Sequence, residues 1–311
     1  MCIGNGTVHA VGLGEGRAPR YRDRSIPNDA TDVVSFGSSV LAFGDGALAY
    51  ELGAGLDAAR RVDLAGARRS LTAQPTLDPA TGELHLLTFA SDPSQLHVRV
   101  SPGGLTRTIR SIDNAPNRIR QLALTRDDVV LLADGFVGVT GRTGARADAT
   151  WFAVDTDARR LATADADGEA VVVHTTGPSL VRWALHRRTA TADSQVIDAT
   201  PQTVASRNGC LLWTVGSGAV HEHDLVAGTR RSHDFGEGRH PGAFVFVTDP
   251  ERTRLEDGGW LVGLVHDETR RETELVVLDA HAIVQPAVAV ARIPRRIALG
   301  ARGAWASAVQ I

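Results

Sequence analysis

Gly259–His266 reads Gly-Trp-Leu-Val-Gly-Leu-Val-His, and Glu274–Asp279 reads Glu-Leu-Val-Val-Leu-Asp. Both are short runs rich in Val and Leu and closed off by Gly or Asp, the pattern of a strand between turns. The same reading extends outward to Asp128–Ala133, Glu169–Thr175 and Cys210–Val215. Hairpin punctuation separates such runs: Asp78-Pro79-Ala80-Thr81-Gly82, Ser101-Pro102-Gly103-Gly104, Asp165-Ala166-Asp167-Gly168 and Val226-Ala227-Gly228. Only Gly55–Arg69 has the spacing of an amphipathic helix, and Gly55 and Gly66 weaken it. Many strands with almost no helix mean a sandwich, a barrel or a propeller. At about 40–45 residues per four-stranded blade, this length supplies about seven blades. The expectation is all-β, a seven-bladed β-propeller forming a single domain over residues 1–311. No clean repeat, linker or low-complexity segment divides it.

Composition excludes several functions. The chain is 43% hydrophobic over 311 residues, enough for a large core, and has no run of about 18 apolar residues, so no membrane span is expected. Met1–Gly6 is not a basic start followed by an apolar stretch, which argues against a secretory signal. A net charge of -3 gives no reason to expect nucleic acid. Two cysteines, Cys2 and Cys210, make no disulfide framework and suit a reducing cytoplasm. All 33 basic residues are arginine, which removes Schiff-base chemistry and the P-loop lysine. An Arg- and Ala-rich chain is what a GC-rich bacterial genome would encode. The patterns G-x-S-x-G and H-E-x-x-H do not occur, and no dinucleotide fingerprint stands between a strand and a helix.

Several segments, in order, resemble the carotenoid cleavage oxygenases. They are Gly4–Val11 with Tyr21–Arg24, Leu71–Pro75 with Leu77–His85, Leu122–Thr125, His223–Leu225 with His233–Gly242, Asp257–Leu261, Glu274–Ala280, and Ile293–Ile297 with Gly300–Trp305. The resemblance runs from about residue 4 to 305, with deletions between about 135 and 220. It implies a seven-bladed propeller with iron on the axis, reached through an apolar tunnel. This chain is shortened relative to the family, with reduced central loops. Its closing blade is therefore expected to be irregular, pairing a strand near Ile3–Leu13 with one from the C-terminus.

The resemblance places the family's four iron-binding histidines at Gln74, Arg120 (Gln121 one register away), Leu161 and Arg302. Arginine and leucine offer no lone pair to a metal, and two guanidinium groups would repel a cation. Family glutamates that orient the histidines match Ala243 and, in a second case, Asp45. Neither iron nor any other metal or cofactor is expected. His221 and His223 share one strand face, yet no third ligand is evident nearby, and His85, His233, His240 and His266 read as structural.

These residues suggest a metal-free axial pocket. Arg120, Arg302 and Asp45 are the catalytic candidates: the arginines would hold carbonyl or carboxylate oxygens, and Asp45 would neutralise an arginine or act as acid or base. Gln74, Gln121 and Leu161 are the substrate-binding candidates. The expected ligand is an apolar or polyunsaturated small molecule. The expected chemistry is a redox-neutral cyclisation or isomerisation in bacterial specialised metabolism, without a cofactor. The alternatives are a non-catalytic pseudoenzyme that carries a ligand or steadies a partner biosynthetic enzyme, and a residual iron-dependent oxygenase.

Overall fold

The structure, a computed structural model, describes all residues except 1, 5–6, 15–16, 27–30, 45, 54, 57–58, 65–70, 73, 89–94, 104–106, 145, 155–159, 168–169, 177–178, 199–201, 205–209, 217, 294–295, 298–301 and 307–311. The described residues contain strands and turns and no helix. The strands form seven sheets, six of four strands and one of five. Two compact units divide them.

The first unit comprises Met1–Ser25 and Thr200–Trp305. One of its sheets runs Gln202–Val204, Leu211–Val215, Ala219–Asp224, Thr229–Asp234. Another runs Arg239–Thr248, Gly259–Asp267, Glu272–Asp279, Ala289–Ile293. Both are simple antiparallel meanders, the form of a propeller blade. The third joins the two ends of the sequence, in the order Arg302–Gly303, Cys2–Gly4, Thr7–Gly14, Arg17–Ser25. Ile3 faces Arg302 and Cys2 faces Gly303, so the expected pairing of the N-terminal stretch with a C-terminal strand is present.

The second unit, Ile26–Ala199 with Ala306–Ile311, holds the other four sheets. Three are meanders: Asp32–Phe36 to Ala59–Val62, Ile119–Leu124 to Thr150–Ala153, and Arg160–Asp167 to Thr191–Asp198. The fourth has five strands. Its edge strand Arg146–Asp148 pairs parallel with Arg107–Asp113, yet in sequence it lies between two strands of the neighbouring sheet, Phe136–Gly141 and Thr150–Ala153. It therefore laces two sheets together.

Among the described residues of Gly55–Arg69, the one weak helix candidate, no helix forms. Ala59–Val62 is a strand paired with Ala49–Leu52. Leu56, at φ 57°, lies in the left-handed region, which ends any right-handed helix there.

Burial follows from the runs themselves. All six residues of Asp128–Ala133 are buried, as a central strand covered on both faces demands. In the first unit Trp213 is fully buried and stacks on Phe246 at 5.2 Å, with its indole N–H donating to Glu222. Two glycines make room for rings on the strand beside them. Gly138 lies opposite Trp151 and Gly263 opposite Phe244, where an added Cβ would come within 2.7 Å and 2.5 Å of the ring. These close approaches require glycine.

Candidate functional site

Among the described residues five strand pairings carry a register shift, and two of the shifts fall on candidate site positions. Three of them lie between Ile119 and Gln121, between Leu161 and Thr163, and between Pro241 and Phe244. Bulges re-aim a side chain without ending the strand. Arg120 is the extra residue of the first. Its guanidinium meets the Asp134 carboxylate at 2.7 Å, with the Arg120 side chain 37% exposed.

Gln121 and Leu161 are brought together in an unexpected way. The Gln121 Nε2 donates to the Leu161 carbonyl at 3.1 Å, and the Leu161 N–H donates to Gln121 Oε1 at 2.8 Å. The side-chain amide thus completes both hydrogen bonds of one buried peptide position. Gln95 does the same one sheet earlier, with Nε2 to the Ile119 carbonyl at 2.9 Å and Oε1 accepting the Ile119 N–H. Ile119 and Leu161 are therefore equivalent positions, each clamped by a glutamine and each followed by a bulge residue. Leu161 corresponds to Ile119, not to Arg120; the equivalent of Arg120 is Ala162. The Leu161 side chain is 5% exposed and packs in the core with Phe152, Val173 and Trp183. As a substrate-binding candidate it is corrected to a core residue, and Gln121 is occupied by the backbone.

Gln74 is half-buried, and its Oε1 is buried without a hydrogen-bond partner. Two residues on, Thr76 donates its hydroxyl to the Leu122 carbonyl at 2.8 Å. Arg302 belongs to the first unit and is described only in its backbone, paired with Ile3. Asp45 lies outside the described residues.

Iron is the group the resemblance implies, and the residues present do not fit it. Arg120 is ion-paired, Leu161 is in the core, and Gln121 spends its amide on a peptide. Gln74 alone presents an uncommitted oxygen, and one amide does not hold a ferrous ion.

Asp78, Glu83 and His85 offer ligand atoms within 4.8 Å of one another and look like a second metal centre. A proton relay argues otherwise. Arg110 Nε, which can only donate, bonds His97 Nδ1 at 3.0 Å. Neutral His97 therefore carries its proton on Nε2 and donates it to His85 Nδ1 at 2.9 Å. His85 in turn carries its proton on Nε2, the fully buried atom that faces Glu83 Oε2 at 3.9 Å. A metal at that nitrogen would need its lone pair, and His97 would have to become an imidazolate. Burial first, then the nearby Arg142, pushes the His85 pKa down to about 4, and burial drives His97 lower still. Arg142 also holds Asp78 directly. The cluster locks the Asp78–His85 turn to its sheet, and the sequence reading of His85 as structural agrees.

Sequence reasoning missed one feature of the first unit, a half-open apolar cleft of about 60 Å³. His9, Val11 and Leu13 alternate along Thr7–Gly14 and so share one face of the strand. Val262 and Leu264 also line the cleft, as do Ala243 at the Pro241–Phe244 bulge and Trp305. Ala243 puts a methyl group where the resemblance assigns a family glutamate. His9 Nδ1 is hydrogen-bonded to the Tyr21 hydroxyl at 2.8 Å. No single sequence motif signals a cleft assembled from residues 9 to 305.

Comparison with known proteins gives a consistent family. The profile described as "RPE65: Retinal pigment epithelial membrane protein" matches residues 195–307. Apocarotenoid-15,15'-oxygenase from Synechocystis is 34% identical over 88 residues, which is 28% of this chain and 18% of that protein. A carotenoid cleavage oxygenase of Mycobacterium tuberculosis is 28% identical over 149 residues, 42% of this chain and 29% of that protein. The matched stretches thus span less than a third of either relative's length. Among solved structures, cobalt-substituted Synechocystis apocarotenoid oxygenase superposes with a TM-score of 0.77 at 19% identity, covering 89% of this chain and 74% of the other. An ACO/RPE65 chimera gives 0.74 at 18% identity with the same coverage. This likeness establishes the fold as an all-β propeller. The profile match over the C-terminal third and the identities to these oxygenases make the chain similar to the carotenoid cleavage oxygenases.

Proposed function

We propose that this chain is a metal-independent, carotenoid-oxygenase-like enzyme. It binds an apolar or polyunsaturated molecule, of the apocarotenoid kind named for its Synechocystis relative, and catalyses a redox-neutral cyclisation or isomerisation. In this reading residues 1–311 are a single propeller domain in a bacterial cytoplasm. The observation that carries it is Arg120: at a family ligand position stands a guanidinium already neutralised by Asp134. Gln74, Arg120 and Arg302 hold the polar end of the substrate, and Asp45 moves the proton. The rearranged product keeps the formula of the substrate.

The second reading is binding without turnover, alone or beside a partner enzyme. It is favoured by the commitment of Arg120 to Asp134, which leaves less charge for a transition state. One experiment separates the readings. An apocarotenal is incubated with protein purified without chelator, with and without dioxygen, and the products are resolved by chromatography and mass. Rearrangement gives an isomer of unchanged mass in both atmospheres, and Arg302→Met lowers its formation by about 10²-fold. Saturable binding with no isomer selects the pseudoenzyme. Fragments that require dioxygen and stoichiometric iron overturn both.

A further inference from the structure

We infer that the apolar cleft of the first unit is a binding site for an uncharged, ring-sized apolar group. The inference does not depend on the proposed chemistry, because the described lining lies within the first unit and includes neither Gln74 nor Arg120.

The walls determine what fits. One wall is the His9–Val11–Leu13 face, and the facing wall is made by Val262 and Leu264. Among the described residues, no carboxylate or guanidinium lines it. His9, the one titratable residue in the lining, is 7% exposed and tied through Nδ1 to Tyr21. A charged ligand would lose its hydration here and gain no counter-ion. Trp305, 40% exposed, forms part of the lining where an apolar ring would meet its indole.

The volume sets the size. At about 10–15 Å³ per water position, 60 Å³ corresponds to roughly four to six waters, and that much liquid has about the volume of a six-carbon ring. The family resemblance would place a glutamate at Ala243. The alanine removes that charge and supplies apolar wall.

Toluene is the probe, with benzoate and benzylamine as charged molecules of the same size. Binding is read by saturation-transfer NMR and by toluene-dependent change in tryptophan emission, with Trp305→Phe identifying the emission that responds. The wild-type chain should bind toluene saturably and the charged pair at least tenfold more weakly. Ala243→Phe fills the cleft and should abolish toluene binding with the β-sheet circular dichroism intact. Val11→Ala widens the cleft, keeps toluene and should gain affinity for naphthalene, which tests the site even if the phenylalanine variant fails to fold. Equal binding of benzoate, no saturable toluene binding, or a Val11→Ala variant indifferent to ligand size would overturn the inference. Arg120→Met, which acts on the proposed catalytic residues, should leave toluene binding unchanged, so the two readings fail separately.

Discussion

Gln121 holds the backbone of Leu161 at both ends, Nε2 to its carbonyl at 3.1 Å and Oε1 to its N–H at 2.8 Å, across 40 residues of sequence. A side-chain amide carries a donor and an acceptor side by side, so it can satisfy the carbonyl and the N–H of one residue together. Gln121→Leu would leave both buried peptide groups unpaired and should cost about 2–4 kcal/mol. Gln121→Glu keeps the acceptor, loses the donor and should fall between the two. Urea unfolding of the three proteins measures the order.

The Gly263–Phe244 contact predicts a steric effect. Gly263→Ala places a methyl group 2.5 Å from the Phe244 ring, so the ring must leave its position. The expected loss is about 1–3 kcal/mol. Phe244→Leu in the same chain should recover part of it, a positive coupling that a double-mutant cycle in thermal unfolding would reveal.

Acid sensitivity follows from the buried histidines. Burial, then Arg182, pushes the His174 pKa down to about 4, and His85 is held at about 4 in the same way. The unfolded value of histidine is about 6.5. Between these values the unfolded chain binds more protons than the folded one, so stability falls as pH drops from about 6.5 towards 4. A shift of this size corresponds to about 3 kcal/mol for each histidine at the acid limit. His174→Gln should flatten the slope of stability against pH by about one proton in that window, and an unchanged slope would count against the assignment.

The Arg120–Asp134 pair is partly exposed, so it contributes at most about 1 kcal/mol to stability. Arg120→Met should therefore fold with nearly unchanged urea midpoint. If its substrate role is real, the same variant should lose turnover or ligand affinity by an order of magnitude or more, which binding and product assays on the folded variant would read.

The strands were legible where local chemistry decides them. Asp128–Ala133 matches its strand to the residue, and Glu169–Thr175 is displaced by one, as Ala170–Thr176. Six buried apolar or capped positions in a row leave little choice but a covered strand. Gly55–Arg69 misled because helical spacing of apolar residues takes no account of Leu56, whose left-handed backbone is set by the turn around it. The site was less legible because bulges move side chains by one position. Counting from Trp151–Asp155 reached Leu161, which the bulge sets one place away from the equivalent of Arg120. Nor does a glutamine inside a strand announce which distant peptide it will clasp. The His85–His97–Arg110 relay joins three strands of one sheet, and only their pairing makes the tautomers deducible.

The sheet joining Cys2–Gly4 to Arg302–Gly303 bears on the order in which the chain can fold as it is made. Residues 26–199, nearly all of the second unit, leave the ribosome before the first unit's later strands exist. The Thr7–Gly14 and Arg17–Ser25 hairpin must wait, its facing strand Gly259–Asp267 and the strand Arg302–Gly303 still unsynthesised. Closing that loop carries an entropic cost that grows only slowly with its length. During synthesis, the exposed N-terminal hairpin is thus the segment most open to chaperone capture or to pairing with another nascent chain.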